Sequence, residues 1–94
     1  MLFVTRHRVP VADAAAFADA AQAALDALAD RPGYLSGQAA RCLDDAELWV
    51  LTSNWASVGA GRRAMGSVDT RMALMPVMLS AIDEPSAFDV VSPR

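Results

Sequence analysis

The apolar residues of this chain change their spacing once, early and sharply, and that change limits the folds open to it. From Leu2 to Val9 apolar and polar residues alternate, which is typical of a strand with one buried face. From Val11 to Asp30 the spacing is that of an amphipathic helix, and Arg31-Pro32-Gly33 is a helix stop signal. The apolar stripe of this helix consists of Phe17, Ala21, Ala24, Leu25 and Leu28. The chain therefore begins with a strand followed by a long helix.

The next segments predict a hairpin and a divided helical region. Tyr34 to Cys42 and Glu47 to Asn54 predict two strands joined by a four-residue turn, which makes an antiparallel hairpin. Ser57 predicts the N-cap of a short helix through Met65. Ser67 begins a second helical stretch to Ile82, and we expect Pro76 to break it into two short helices.

A last strand completes the order of elements. Ser86 to Val91 predicts this strand, with Phe88 and Val90 on one face. The order β-α-β-β-α-β predicts a ferredoxin-like α+β fold, in which an antiparallel sheet carries both helices on one face. At 94 residues the chain is expected to form one domain over residues 1–94.

This fold leaves the other face of the sheet uncovered, and Leu48 and Val50 would lie on it. Hydrophobic residues make up 54% of the chain, more than one small core of this size can hide. A second copy packed sheet against sheet would bury the excess. The sequence therefore predicts a homodimer through the open sheet face.

Composition also excludes several classes of protein. The net charge of −3 argues against a nucleic-acid partner. No stretch of 18 residues is free of charge, so no membrane span is expected. The first residues lack the pattern of a signal peptide, and the single Cys42 argues against a disulfide framework, so we expect a cytoplasmic protein. With one His and no ligand spacing, no metal site is expected.

Three segments resemble a known family. They are RPGYLSGQ after the first helix, ELWVLTSNWAS from strand to helix cap, and DEPSAFDVV at the close. Together they resemble the antibiotic biosynthesis monooxygenase family of dimeric α+β barrels. The most specific piece is Trp55-Ala56-Ser57, which is similar to the family's Trp-x-Ser at the end of the third strand.

The resemblance implies a reaction class and a place for it. Members include cofactor-independent monooxygenases that oxidise phenolic, anthrone-like or quinol substrates with molecular oxygen, in a pocket between the sheet and the helices. Other members degrade heme with a first-strand Asn, the Trp of Trp-x-Ser and a helical His. The first two positions match His7 and Trp55. The third falls near Ala64 or Met65, where this chain has no His, which argues against heme.

Three residues are the predicted catalytic group. His7 is expected either to be a hydrogen-bonded core residue or to be the base that accepts a phenolic proton. Trp55 is expected in the core or, as the resemblance implies, as a pocket wall that stacks on a planar substrate and donates its free N–H. Arg71, in an apolar stretch, is the arginine we select for an anionic oxygen, with surface exposure as the alternative.

Five further residues are predicted to bind substrate. Tyr34 offers a phenol to a substrate oxygen unless it lies at the surface, and Asn54 either faces away from Trp55 or caps the following helix. The remaining three, Met65, Met72 and Met75, form a pliable pocket lid or pack in the core.

The sequence therefore predicts two alternative functions. The first is a cofactor-free oxygenase that acts on a small, planar, electron-rich aromatic molecule. The second is a non-catalytic dimeric module that binds such a molecule without changing it. A heme-binding protein is the third and weakest hypothesis.

Overall fold

The structure is a computed structural model that describes all 94 residues, and its elements follow the predicted order. A single turn of 3-10 helix at Val11–Asp13 leads into the first α-helix. The elements are β1 (Leu2–Arg8), α1 (Ala14–Ala29), β2 (Tyr34–Arg41), β3 (Leu48–Trp55), α2 (Val58–Gly66), α3 (Val68–Met78) and β4 (Ala87–Phe88). None of these helices has the length and apolarity needed to cross a bilayer.

The four strands form one antiparallel sheet in the order β2-β3-β1-β4. This order places β1 and β3 at the centre, which confirms the ferredoxin-like α+β fold. The register pairs Leu2 with Asn54 and His7 with Trp49. Because side chains alternate along a strand, His7 and Trp49 share the helix side of the sheet, whereas Leu2 and Asn54 share the open side.

The core lies between the sheet and the helices in two clusters. The larger cluster contains Phe17 of α1, Trp49 of β3 and Leu74 of α3 among its buried members. The smaller cluster joins Leu28 and Trp55 at the other end of the helix layer. The apolar stripe predicted for the first helix is buried at Phe17, Ala21, Ala24 and Leu28, and Leu25 is half-buried.

The expected break at Pro76 does not occur. The helix α3 runs without interruption from Val68 to Met78 and contains Pro76 in its last turn. Pro76 lacks an N–H and crowds the carbonyl of Met72, but both residues are exposed. Water can solvate that carbonyl, so the helix continues for two residues beyond the proline and then ends.

The last strand is shorter than expected. Only Ala87 and Phe88 pair with β1, opposite Phe3 and Leu2. The prediction of a strand from Ser86 to Val91 is therefore wrong in its extent. In an antiparallel pair the residues after Phe88 run past the beginning of β1, so this chain offers them no partner strand.

Two local contacts fix the elements around the sheet. Ser57 accepts a hydrogen bond from the Ala60 N–H at 3.0 Å, which confirms it as the N-cap of α2. At the β2–β3 turn, Arg8 donates to Asp45 over 2.9 Å. This bond lowers the pKa of the Asp45 carboxyl and raises the pKa of the Arg8 guanidinium.

Candidate functional site

The space between sheet and helices, where the resemblance implies a pocket, is occupied by the core. Phe17, Trp49 and Leu51 are buried there. The principal cavities lie at the edges of this core. We name them the β1-edge cavity, of about 700 Å³, the β3-end cavity, of about 530 Å³, and the Ser80 pocket, of about 280 Å³.

The β1-edge cavity arises because the chain after α3 bonds to β1 up to Ile82, leaves it, and returns to it at Ser86. Ile82 donates its N–H to the Arg6 carbonyl at 2.7 Å, and the Val4 N–H donates to the Ser86 carbonyl at 2.7 Å. Residues 83–85 depart from the sheet between these bonds. The resulting gap is lined by Thr5 from the helix side of β1 and by Met78 at the end of α3. The cavity thus reaches from the open sheet face to the helix layer.

His7 lies immediately behind Thr5 and has no exposed surface (0%). Its Nε2 is 2.7 Å from Thr5 Oγ1, and its Nδ1 is 3.2 Å from Ser80 Oγ. The ring packs against Phe17, with 5.1 Å between the ring centroids. The imidazole therefore has a hydrogen-bond partner at each nitrogen and an aromatic neighbour on one side.

We assign the ring hydrogen to Nδ1 from the hydrogen bonds around it. The Ser80 hydroxyl donates to the Val77 carbonyl at 3.0 Å, so its oxygen is left to accept the Nδ1–H of His7. Nε2 then holds a lone pair and accepts the hydroxyl hydrogen of Thr5. Burial lowers the pKa of His7 from its usual value, and a hydrogen bond with the Val77 backbone opposes that shift. The ring is thus a neutral base whose acceptor atom faces the β1-edge cavity through Thr5.

The guanidinium at this cavity belongs to Arg6 rather than to Arg71. Arg6 lines the β1-edge cavity, and its Nε lies 3.9 Å from Glu84 Oε2. Arg71 is exposed on α3 and lines none of the three cavities. A positive group beside the cavity is suited to an anionic oxygen, because the long contact to Glu84 leaves its other donors free.

Trp55 is more enclosed than the resemblance implies. Its residue surface is 2% exposed, and its Nε1 donates to Ser53 Oγ at 2.9 Å. The indole N–H that we expected to be free is therefore already used. Tyr34 meets the indole edge-on with 5.5 Å between centroids. A planar ligand could stack on Trp55 only after these neighbours moved.

The structure brings Tyr34, Asn54 and Trp55 together at the end of β3, away from His7. Asn54 does not cap α2. Its Nδ2 lies 3.3 Å from Ser36 Oγ on the open face of the sheet, and it lines the β3-end cavity together with Trp55. Tyr34 is half-buried, and its hydroxyl lies over Gly37, where a Cβ would come within 2.7 Å of it.

The methionines do not form one lid. Met65 is half-buried and packs against both core clusters. Met72 and Met75 are 66% and 63% exposed on the outer side of α3, away from all three cavities. Met78 is the methionine that lines the β1-edge cavity.

Sequence reasoning missed Thr5, Ser80 and Arg6. Thr5 could have been found, because it is two residues from His7 and must share its strand face. Ser80 carried no signal, because it lay within a predicted helical stretch 73 residues from His7. Arg6 lies on the strand face opposite to His7, and only the path of residues 83–85 places it on a cavity.

The residues present do not fit a heme. The single His is fully buried with both ring nitrogens engaged, so it offers no lone pair to an iron atom. No group of three or more His, Cys, Asp or Glu side chains is placed to hold a metal ion.

Comparison with known proteins defines the class of this chain. The model of the antibiotic biosynthesis monooxygenase family matches residues 2–73. Because this match spans most of the chain and the fold agrees with it, the chain belongs to the antibiotic biosynthesis monooxygenase family. No protein of curated function matches the chain.

Several solved structures share the fold at low sequence identity. A mutant form of SnoaB, a cofactor-independent oxygenase from Streptomyces nogalater, is 20% identical with a TM-score of 0.77, covering 98% of this chain and 93% of that one. Rv0793 from Mycobacterium tuberculosis is 18% identical with a TM-score of 0.72, covering 99% and 93%. A conserved protein from Methanosarcina mazei is 12% identical with a TM-score of 0.75, covering 92% and 84%. These likenesses establish a common fold.

Proposed function

We propose that this protein is a cofactor-independent monooxygenase that oxidises a small planar phenol, anthrone or quinol with molecular oxygen in the β1-edge cavity. The observation that carries the proposal is the buried pair Thr5–His7, a neutral base 2.7 Å from the hydroxyl of a residue that lines a cavity large enough for a tricyclic molecule. Membership of the family and the fold of a cofactor-independent oxygenase support it.

The chemistry requires little from the protein beyond a base and a dry cavity. Removal of a proton from the activated CH₂ of an anthrone gives a delocalised carbanion, which passes one electron to O₂. The two radicals combine into a peroxide anion, which takes back the proton removed in the first step, and loss of water from the resulting hydroperoxide gives the carbonyl. The balance is R₂CH₂ + O₂ → R₂CO + H₂O, so the substrate supplies every electron and no other reductant is needed.

The residues of this chain take three roles in that scheme. His7 accepts the substrate proton by way of the Thr5 hydroxyl, at a distance that suits general-base catalysis. Arg6, on the wall of the same cavity, stabilises the negative oxygen of the delocalised carbanion. Val4 and Phe88, also on this wall, supply the apolar surface against which a planar ring lies.

A second copy of the chain completes this cavity in our proposal. The open face carries Leu2, Val4, Leu48 and Val50 at its centre, and all four are partly exposed in the single chain. The β1-edge cavity opens onto the same face through Leu2 and Val4. A partner packed against the sheet would bury these side chains and exclude water from the substrate.

Isotope labelling tests the proposal. The purified protein is incubated under ¹⁸O₂ with a panel of anthrones, hydroquinones and polyphenols, and the products are analysed by mass spectrometry. We expect a product carrying one ¹⁸O atom for at least one substrate class, at a rate above that of a heat-denatured sample. Ligands that raise the melting temperature without any ¹⁸O incorporation would contradict the oxygenase and favour the non-catalytic binding module.

A further inference from the structure

The hydrogen-bonded chain that begins at Thr5 does not end at His7. On the far side of the ring, His7 Nδ1 lies 3.2 Å from Ser80 Oγ. Ser80 lies in the wall of the Ser80 pocket, between the end of β1, α1 and the end of α3, whereas Thr5 lies in the wall of the β1-edge cavity. The only imidazole in the protein thus connects the hydroxyls of two residues that line different cavities.

The surroundings of His7 make it a poor place to keep a positive charge. The ring is fully buried beside Phe17, and no salt bridge or carboxylate contact reaches it. The charged residues of the two cavities that flank His7 lie on the cavity walls. They are Arg6, Asp83 and Glu84 at the β1-edge cavity and Asp13 at the Ser80 pocket. If Nε2 takes up a proton, the free energy is lower when a proton leaves the core than when the buried ring keeps the positive charge.

We propose that His7 relays the substrate proton by a shift of tautomer, and that Ser80 carries the displaced proton to the Ser80 pocket. Thr5 passes its hydroxyl hydrogen to Nε2 as it receives the proton of the substrate. The Nδ1–H bond then breaks toward the Ser80 oxygen, and the Ser80 hydroxyl, which donates to the Val77 carbonyl at rest, turns and passes its own hydrogen to water in the pocket. Asp13 on the wall of that pocket favours the added positive charge.

The same chain returns the proton. The reaction R₂CH₂ + O₂ → R₂CO + H₂O releases no net proton, so the water-forming step takes back the proton that the first step removed. Reversal of each transfer then restores the Nδ1–H tautomer, so the buried ring does not need to flip. This inference rests on the proposed function, because the substrate of that reaction supplies the proton. The hydrogen bond between His7 and Ser80 does not depend on the proposed function.

Three variants test the role of Ser80 as a positioning residue. Ser80→Ala removes the Ser80 hydroxyl but leaves the Val77 backbone bond to His7, and Ser80→Thr retains a hydroxyl. Ser67→Ala is the matched control, because Ser67 also flanks α3 and makes no side-chain capping bond. Nitrogen-15 NMR of the imidazole reads His7 alone, since the chain contains one His. This measurement needs no substrate.

We expect wild type, Ser80→Thr and Ser67→Ala to exchange the ring N–H of His7 with solvent at similar rates, and Ser80→Ala to exchange it at least about tenfold more slowly. Oxygen uptake by Ser80→Ala should show a kcat about tenfold lower with little change in KM, a part of what acid–base catalysis contributes. An unchanged exchange rate in Ser80→Ala would overturn the inference. A wild-type protein that oxidises no substrate would overturn the proposed function alone.

Discussion

Thr5 and Thr70 are both buried threonines on the helix side of the core, but only Thr5 has a partner for its hydroxyl. Thr5 Oγ1 bonds to His7 at 2.7 Å, whereas Thr70 Oγ1 is enclosed in α3 without a hydrogen-bond partner. The contrast offers two isosteric Thr→Val substitutions with opposite expected effects.

We expect Thr70→Val to raise the free energy of unfolding by about 1 kcal/mol, because an unpaired buried hydroxyl costs roughly 1–3 kcal/mol and the two residues have similar helix propensity. Thr5→Val should lower the free energy of unfolding by about 1 kcal/mol through the lost bond to His7. Urea unfolding followed by circular dichroism measures both. A Thr70→Val protein less stable than wild type would show that the Thr70 hydroxyl has a hydrogen-bond partner.

Gly33 and Gly66 form a second matched pair. Gly33 has a positive φ of 87°, and a Cβ there would stand 2.5 Å from the Cβ of Ala60 in α2. We expect Gly33→Ala to destabilise the protein by more than about 1–2 kcal/mol, because the left-handed conformation alone costs that much. Gly66 has open space where its Cβ would be, so Gly66→Ala should stabilise the last turn of α2 by up to about 1 kcal/mol. Equal effects in chemical denaturation would contradict the close packing of Gly33 on α2.

The stability of the protein should depend on pH through His7. Burial lowers the pKa of the folded imidazole from 6.5, so below pH 6.5 the unfolded chain binds a proton that the folded chain does not. The free energy of unfolding should therefore be insensitive to this group above about pH 6.5 and fall below it, by at most about 1.4 kcal/mol per pH unit. Unfolding measured between pH 7.5 and 5 should show a shallower dependence in His7→Gln. The same slope in both proteins would contradict a neutral buried His7.

The proposed dimer predicts different effects for two apolar-to-acidic substitutions. Val50→Asp places a charge at the centre of the open sheet face, whereas Met72→Asp places one on the exposed side of α3. Light scattering should give wild type and Met72→Asp a mass about twice the 9.9 kDa of one chain. Val50→Asp should approach the mass of one chain, with circular dichroism to verify that it is folded. A wild-type mass of one chain would contradict the dimer.

The central strands and α1 could be predicted from the sequence because their patterns are governed by local physics. The alternation along β1 and the apolar stripe from Phe17 to Leu28 each bury one face, so the pattern specifies both the element and its orientation. The predictions were wrong where the structure depends on residues that are distant in the sequence or on access of water. Nothing near Phe88 in the sequence shows that β1 ends opposite it. Pro76 would break α3 only if water could not reach the Met72 carbonyl that the proline ring crowds.

The candidate site was predictable only in part for the same reason. His7 was identified from its residue type and position, but its partner Ser80 comes from the other end of the chain. Trp55 was identified from a motif, and the motif did not reveal that Ser53, two residues earlier, already accepts its N–H. Cavities depend on the paths of irregular segments such as residues 83–85, for which periodicity carries no information.

The most direct test of the proposed site compares the oxygen consumption of wild type, Thr5→Val and Thr70→Val with one substrate from the anthrone panel. Both variants replace a buried threonine by its isostere, but only Thr5 connects the β1-edge cavity to His7. The account predicts that Thr5→Val loses at least about a hundredfold in kcat, as expected for the loss of a general base, while Thr70→Val retains the wild-type rate. Equal rates in the two folded variants would contradict a role for the Thr5–His7 pair in the reaction.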